Sequence, residues 1–370
     1  MELLVSVLGL ITVLYMGLIV AYAVGWYRQK EFSYVLPDGF PVSAVEPMPE
    51  TLQWPLVSVV IAFRNEADNL SILLQALQQQ TYPNVEFLFV NDHSTDASAQ
   101  IVATINDNRF TLLHAQENGK KAAIKQAVLQ ANGQLILTTD ADVLLPPTWV
   151  QSMVLAFYKQ PTQLLIGPVS MVQGSWWQQL EYASLEGSTV GSAAVGCPVL
   201  CSGANLAFTP AWYKQCMPYL KPQIASGDDM FLLEATLRLK GAVRALKCAS
   251  ATVGIQGESR LGAFFSQRAR WAGKAPRYSQ PTILFSAVVV ALMQVVAVVV
   301  LFGAPFYPFL LCLFLCKFAV DACLVGQVMA YRKKRKYLFG FPLLSLLYPF
   351  YVIGVGLFIL FPQSWKNRNV

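Results

Sequence analysis

Charge is scarce in this chain, and histidine scarcer still. Only 13% of its 370 residues are Asp, Glu, Lys or Arg, and two are histidines. Soluble domains carry about a quarter charged residues, so a chain this poor in charge and 55% hydrophobic is not an ordinary soluble protein. The histidines, His93 and His114, lie far along the chain from the cysteine pair Cys197 and Cys201, which argues against a zinc site. Seven cysteines are an odd number and imply no disulfide framework. Long basic stripes and nucleic-acid motifs are missing too. The net charge of +6 therefore reads as basic residues next to a membrane, with no nucleic-acid partner.

The apolar excess sits at the two ends. Leu3 to Val24 is an uninterrupted apolar run long enough to span a bilayer as a helix. No small-residue cleavage site follows it, so it reads as a retained anchor over 1–25. Three further runs, Ile283 to Phe302, Phe309 to Ala330 and Leu343 to Phe361, make a C-terminal membrane region over 281–362, with a tail at 363–370. Arg28 and Lys30 follow the first run, and Arg332-Lys333-Lys334-Arg335-Lys336 follows the third. The positive-inside rule then puts the N-terminus outside and the central domain in the cytoplasm of a multi-pass membrane protein. Lys366 and Arg368 would fall outside if the last run spans. That run holds Pro349, Gly354 and Gly356, so a re-entrant or interfacial element stays open for it. Within the third run, Lys317 and Asp321 are spaced to pair across one helical turn.

Between these ends, a Pro-rich linker (26–55) leads into an α/β pattern (56–258). Leu56 to Phe63 is a buried parallel-type strand, and Leu70, Leu73, Leu74 and Leu77 mark the helix Glu66 to Gln80. Further strands are expected at Val85–Val90, Thr111–Ala115, Gln134–Thr139, Gln163–Met171 and Cys201–Phe208, with a helix at Lys120–Ala131. This alternation predicts a mostly parallel, doubly wound sheet whose ligands bind beyond the C-terminal ends of the strands.

That rule gathers acidic residues on one rim. Asp92 follows the second strand; Asp140 and Asp142 follow the fourth. In extended backbone, Asp140 and Asp142 would face the same side. Two hard oxygen ligands suit Mg²⁺ or Mn²⁺ shared with a phosphate-bearing substrate; the alternative is a polar loop capping the next helix. Gly119-Lys120 opens a helix at the same rim and offers backbone N–H groups and an ammonium to a nucleotide. Asp228 and Asp229 precede the helix Met230 to Leu239, as an N-cap and first-turn acid or as a source of a general base. Glu186 to Gly203 is rich in Gly, Ser, Ala and Val, which fits either a mobile loop or close helix packing. Ser266 to Ala272 enters the second membrane run through an interfacial segment, 259–280, carrying Arg268, Arg270 and Trp271.

Taken in order, Val90-Asn91-Asp92, Gly119-Lys120, Thr139-Asp140-Ala141-Asp142, Gly203-Ala204-Asn205, Gly227-Asp228-Asp229 and Gln267-Arg268-Ala269-Arg270-Trp271 resemble the family-2 glycosyltransferases. These are membrane-bound inverting enzymes of GT-A fold, including cellulose and hyaluronan synthases and ceramide glucosyltransferase. The resemblance covers roughly Val57 to Trp271. It implies a GT-A, Rossmann-like cytoplasmic domain with transmembrane helices at both ends. Asp92, Lys120, Asp140, Gln267 and Arg270 would bind the nucleotide-sugar donor, a UDP-sugar. Asp142, with Asp140, would hold Mg²⁺ or Mn²⁺. Asp229 would be the catalytic base, although the residue before it is usually Glu and here is Asp228. Asp228, Asn205 and Trp271 would border a lipid or lipid-linked acceptor, in a bacterial inner membrane. A processive polysaccharide synthase and a non-catalytic membrane scaffold are the alternatives.

Overall fold

The computed structural model describes residues 2–33, 54–222, 224, 227–359, 364–365 and 368–369. Most of the expected linker (34–53), Ser226 and Lys366 lie outside the described residues. In chain order the elements begin with α1 (Glu2–Arg28), β1 (Val57–Phe63), α2 (Ala67–Gln78), β2 (Val85–Asn91), α3 (Ser98–Ala103), β3 (Phe110–His114), α4 (Lys120–Gln130) and β4 (Leu135–Thr139). They continue with α5 (Trp149–Lys159), β5 (Leu164–Ile166), β6 (Val169–Gln173), α6 (Trp176–Ala194), β7 (Leu206–Phe208), α7 (Pro210–Cys216), α8 (Asp228–Arg238), β8 (Val243–Ala245) and β9 (Val253–Gln256). Then come α9 (Leu261–Ala272), α10 (Pro281–Gly303), α11 (Leu311–Tyr331) and α12 (Phe341–Phe358), before two short strands at Ser364–Trp365 and Arg368–Asn369.

Two compact units share these elements. The α/β unit comprises Lys30–Val172 and Cys201–Gln256. Its seven-stranded sheet runs β3-β2-β1-β4-β7-β5-β8. β3, β2, β1 and β4 are mutually parallel; β7 runs antiparallel to β4 and β5; β5 and β8 are parallel again. The Val-Ser-Val-Val-Ile-Ala-Phe sequence of β1 is apolar on both faces, as a central parallel strand covered by helices requires. On α2, Leu70, Leu73, Leu74 and Leu77 are buried on one stripe, as their spacing predicts. The chain order reverses between β1 and β4, the kind of switch point at which open α/β sheets bind ligands beyond the C-terminal strand ends.

Three expected elements differ. The single strand expected over Gln163–Met171 is broken at Gly167-Pro168: β5 joins the large sheet, and β6 pairs with β9 in a second one. Cys201–Phe208 forms a strand only from Leu206 onward. The last helix of the unit starts earlier than expected, with Gly227 as N-cap at φ 87°, so Asp228 and Asp229 are its first two residues.

The helical unit comprises Met1–Gln29, Gln173–Leu200 and Gly257–Val370. Four segments in it are long and apolar enough to cross a membrane: Glu2–Arg28, Pro281–Gly303, Pro308–Tyr331 and Arg335–Phe358. The last runs through Pro349 as helix. α6 lies among these helices. A Cβ placed on Gly191 would stand 2.1 Å from the Tyr22 carbonyl oxygen, and one on Gly25 would stand 2.2 Å from that of Gly191. Backbones of α1 and α6 thus touch directly, so close helix packing, not a mobile loop, is what the small residues of 187–194 serve.

α6 also carries a polar spine inward. Gln178, Gln179, Glu181 and Glu186 are all buried. Glu186 pairs with Arg332, whose Nε donates at 2.8 Å, and Gln179 accepts from Lys334 at 3.0 Å. On α11, Lys317 Nζ lies 2.6 Å from Asp321 Oδ2, and the Tyr15 hydroxyl donates to Asp321 Oδ1 at 2.6 Å. This bond fastens α1 to α11 within apolar surroundings, where an uncompensated charge is very costly. Asp321→Ala is expected to destabilise the folded protein by about 3–5 kcal/mol, because it strands the Lys317 ammonium. Lys317→Leu combined with Asp321→Leu is expected to recover most of that loss, as read by thermal unfolding in detergent.

Candidate active site

The C-terminal ends of β1, β2 and β4 supply the rim. Past β2, Asp92 is almost fully buried, and its Oδ1 accepts from the Gly119 backbone N–H at 3.0 Å and faces His93 Nδ1 at 3.3 Å. Gly119 has φ 108°, a conformation side-chain-bearing residues avoid, and it turns the chain into α4. Asp92 thereby fixes the loop from which Lys120 extends. The Arg64 guanidinium, past β1, donates to the Asp92 carbonyl at 3.1 Å.

Past β4, Lys120 Nζ reaches Asp140 Oδ1 at 2.5 Å. Across from that pair, at the start of α8, Asp229 accepts from two backbone N–H groups: Gly203 to Oδ2 at 3.1 Å and Met230 to Oδ1 at 2.7 Å. Gly203 is in turn tied to β4, its carbonyl accepting from Thr138 Oγ1 at 2.8 Å. A Cβ on Gly203 would stand 3.2 Å from Asp228 Oδ2 and 3.8 Å from Lys120 Nζ, so β4, α4 and α8 meet here. Burial by itself disfavours the Lys120 ammonium, but Asp140, Asp228 and Asp229 outweigh it and hold its pKa above the usual lysine range.

Asp140 and Asp142 are presented differently from the extended arrangement expected. β4 ends at Thr139, and Ala141-Asp142 form a turn in which Ala141 is buried and Asp142 exposed. Among the described residues, no group of three or more His, Cys, Asp or Glu side chains could hold a metal. Mg²⁺ and Mn²⁺ favour octahedral oxygen sites, and Mg²⁺ characteristically takes one or two carboxylates plus substrate phosphates and water. Asp142 with Asp140 therefore fits a cation that arrives with a diphosphate, not one caged by protein alone.

Gln267, Arg270 and Trp271 lie on α9, in the helical unit, and are described within it. The side chain fixed most firmly there is Arg268. It is 5% exposed and grips Glu181 of α6 through Nε at 2.8 Å and Nη2 at 2.6 Å. Its guanidinium lies 4.5 Å from the Phe264 ring centre and 4.3 Å from that of Trp271. It also donates to Gln267 Oε1, while Gln267 Nε2 donates to Glu258 Oε1 at 2.9 Å. Tyr351 of α12 donates to Glu181 at 3.2 Å. Glu181 and Arg268 thus set the position of Gln267 and Trp271. Neither was a candidate from the sequence; a Glu on a helix of small residues is the one signal, and its partner lies 87 residues away.

Asn205 requires a correction. It is fully buried: Oδ1 accepts from Trp149 Nε1 at 2.9 Å, and Nδ2 donates to the carbonyls of Pro168 and Ala251, each at 2.9 Å. With its amide engaged inside the unit, it braces the segment behind Gly203, a scaffold placement in contrast to the acceptor-side position expected.

These features define an α/β domain with a carboxylate and lysine rim at a sheet switch point. Residues 58–189 match the model of the family described as Glycosyl transferase family 2. The match takes in β1 through most of α6. The chain is 25% identical over 264 residues to an N-acetylglucosaminyltransferase of Mesorhizobium japonicum, covering 66% of this chain and 62% of that one. Over 105 residues it is 36% identical to an undecaprenyl-phosphate 4-deoxy-4-formamido-L-arabinose transferase of Pseudomonas fluorescens, covering 26% and 31%. The matched segments thus span less than two thirds of either relative. Among solved structures, the mannosyltransferase PcManGT of Pyrobaculum calidifontis, in complex with GDP-Man and Mn²⁺, aligns over 98% of this chain and 99% of its own, with a TM-score of 0.58 and 18% identity. The fold is the expected GT-A fold, accompanied by helices apolar enough to span a membrane near the N-terminus and toward the C-terminal end.

Asn205→Ala would take the side-chain partner from the Trp149 N–H and from the Ala251 carbonyl, each worth about 1–3 kcal/mol, while the Pro168 carbonyl keeps its bond from the Val253 N–H at 2.9 Å. Its expected signature is a marked fall in thermal stability, visible in an unfolding scan without any substrate present.

Proposed function

We propose that the protein is an inverting glycosyltransferase. It moves a sugar from a nucleoside-diphosphate sugar, a UDP-sugar, to a lipid or lipid-linked acceptor at the cytoplasmic face of a bacterial inner membrane. One observation carries this reading: Lys120, Asp140, Asp228 and Asp229 converge around Gly203 at the rim of the sheet. The four candidate spans in the same chain, and the polyprenyl-phosphate acceptor in a relative's name, support a lipid acceptor.

Transfer breaks the bond between the anomeric carbon and the diphosphate while the acceptor oxygen forms a new bond on the opposite face. Negative charge builds on the departing diphosphate. A divalent cation held by Asp142 and Asp140 would neutralise that charge, consistent with the Mn²⁺ bound by the structural relative. Lys120, pointing at Asp140, is placed to contact the same phosphates. Asp92 holds the loop carrying Lys120 and lines the nucleotide side. Asp229, steadied by Gly203 and Met230, takes the proton of the acceptor hydroxyl, with Asp228 beside it on the acceptor side. Gln267 and Arg270 retain the donor role, and Trp271 the acceptor role, that the family resemblance implies.

Incubating purified enzyme with a lipid extract and radiolabelled UDP- and GDP-sugars tests the reading. Label is expected in the lipid fraction from one UDP-sugar; none from any donor overturns the function. Transfer should require Mg²⁺ or Mn²⁺, and Asp142→Asn should sharply reduce it, whereas full activity in excess EDTA would remove the metal assignment. Asp229→Asn is expected to lower kcat about 10²–10⁴-fold with donor binding retained. If Asp228→Asn were the inactive variant and Asp229→Asn active, the base would be the neighbour.

A further inference from the structure

Acidic residues stop at Asp321: none occurs among the last 49 positions of the chain, 322–370. Arg332-Lys333-Lys334-Arg335-Lys336 falls in that stretch, where the candidate span Pro308–Tyr331 gives way to the candidate span Arg335–Phe358. Only residues 332–334 separate the two, so the basic run is held at one surface of the bilayer. Five adjacent cations repel one another, and α6 engages two of them. Arg332 is paired with Glu186, and Lys334 is hydrogen-bonded to Gln179. Burial, and after it the neighbouring Arg332, push the Lys334 ammonium below its usual pKa.

The other three are directed differently. Lys333, at φ 56°, takes the left-handed turn that ends the helix, and Lys333, Arg335 and Lys336 are all exposed. Beside them Phe339 leaves 78% of its surface uncovered, its ring tilted 40° to that of Trp176 with 6.3 Å between ring centres. Three outward cations next to an uncovered aromatic ring at the mouth of a membrane span match a headgroup layer. The cations meet phosphate, and the ring enters the boundary of the acyl chains.

We propose that Lys333, Arg335, Lys336 and Phe339 form a docking surface for anionic phospholipid, with the three cations on headgroup phosphates and Phe339 inserted beneath them. α6 takes part by removing Arg332 and Lys334 from the exposed set, so the surface presents a defined triad and not a diffuse cloud of five charges. The proposal goes beyond the transfer reaction and does not depend on it.

Native mass spectrometry of the detergent-solubilised full chain, titrated with phosphatidylglycerol and with phosphatidylcholine, tests it. Each basic residue near an anionic surface contributes roughly fivefold, so three give a preference for phosphatidylglycerol on the order of a hundredfold at low salt. The preference should shrink steeply by about 0.5 M salt, where the Debye length falls to a few ångströms. In Lys333→Gln/Arg335→Gln/Lys336→Gln it should fall to near unity, whereas Lys125→Gln, an exposed lysine of α4, should leave it unchanged. Phe339→Ser should weaken both lipids together. Equal binding of the two lipids by the wild-type chain overturns the proposal without recourse to any variant. A preference that survives in the triple variant, provided it melts within a few degrees of wild type, places the lipid elsewhere and also overturns it. Full displacement by 10 mM inorganic phosphate would mean a free-phosphate site and not a lipid surface.

Discussion

Carboxylates crowd the end of the parallel sheet in this protein, and one ammonium makes the crowding tolerable. Asp140 comes from β4, while Asp228 and Asp229 open α8, and like charges brought this close would spread apart if unopposed. Lys120 answers all three, directly at Asp140 and by proximity at the α8 pair. It can do so because Asp92 clamps the Gly119 turn and Thr138 ties Gly203 to β4. The acidic rim is therefore a balanced arrangement of charge on a rigid strand end.

A different constraint governs the helical unit. Apolar surroundings tolerate few charges, and each buried charge there has its counterpart fixed in place: Glu181 with Arg268, Glu186 with Arg332, Lys317 with Asp321. Two of these pairs radiate from α6, which reaches α9 and the end of α11 while lying backbone to backbone with α1. Such pairs add less stability than their short distances suggest, since desolvation offsets much of the attraction, but they allow few alternative registers. The Gln267–Trp271 segment of α9 owes its placement to this device, because Arg268 holds Gln267 by hydrogen bond and Trp271 by its ring.

Much of this was legible in the amino-acid order. Apolar runs of membrane length, the continuous hydrophobicity of β1, the leucine stripe of α2 and the fall of Asp92 and Asp140 just past strand ends are local signals. They need no knowledge of what lies across the molecule, because helix and strand periodicity and the length of a bilayer-spanning helix are set by the backbone itself. From them came the parallel sheet, the rim and the four candidate spans.

Tertiary structure decided what depends on partners remote in sequence. Asn205 stands in a motif that points to the site, yet three buried groups, on Trp149, Pro168 and Ala251, claim its amide. The small residues of α6 were compatible with loop or packing until the backbone of α1 closed on Gly191. Arg268 and Glu181 look like ordinary charges until their pairing buries both. Sequence reveals what a residue can do within a few positions of itself, through propensity and pattern. Whether a polar side chain serves the substrate or the scaffold is settled by which distant donors and acceptors reach it first once burial removes water as an alternative partner.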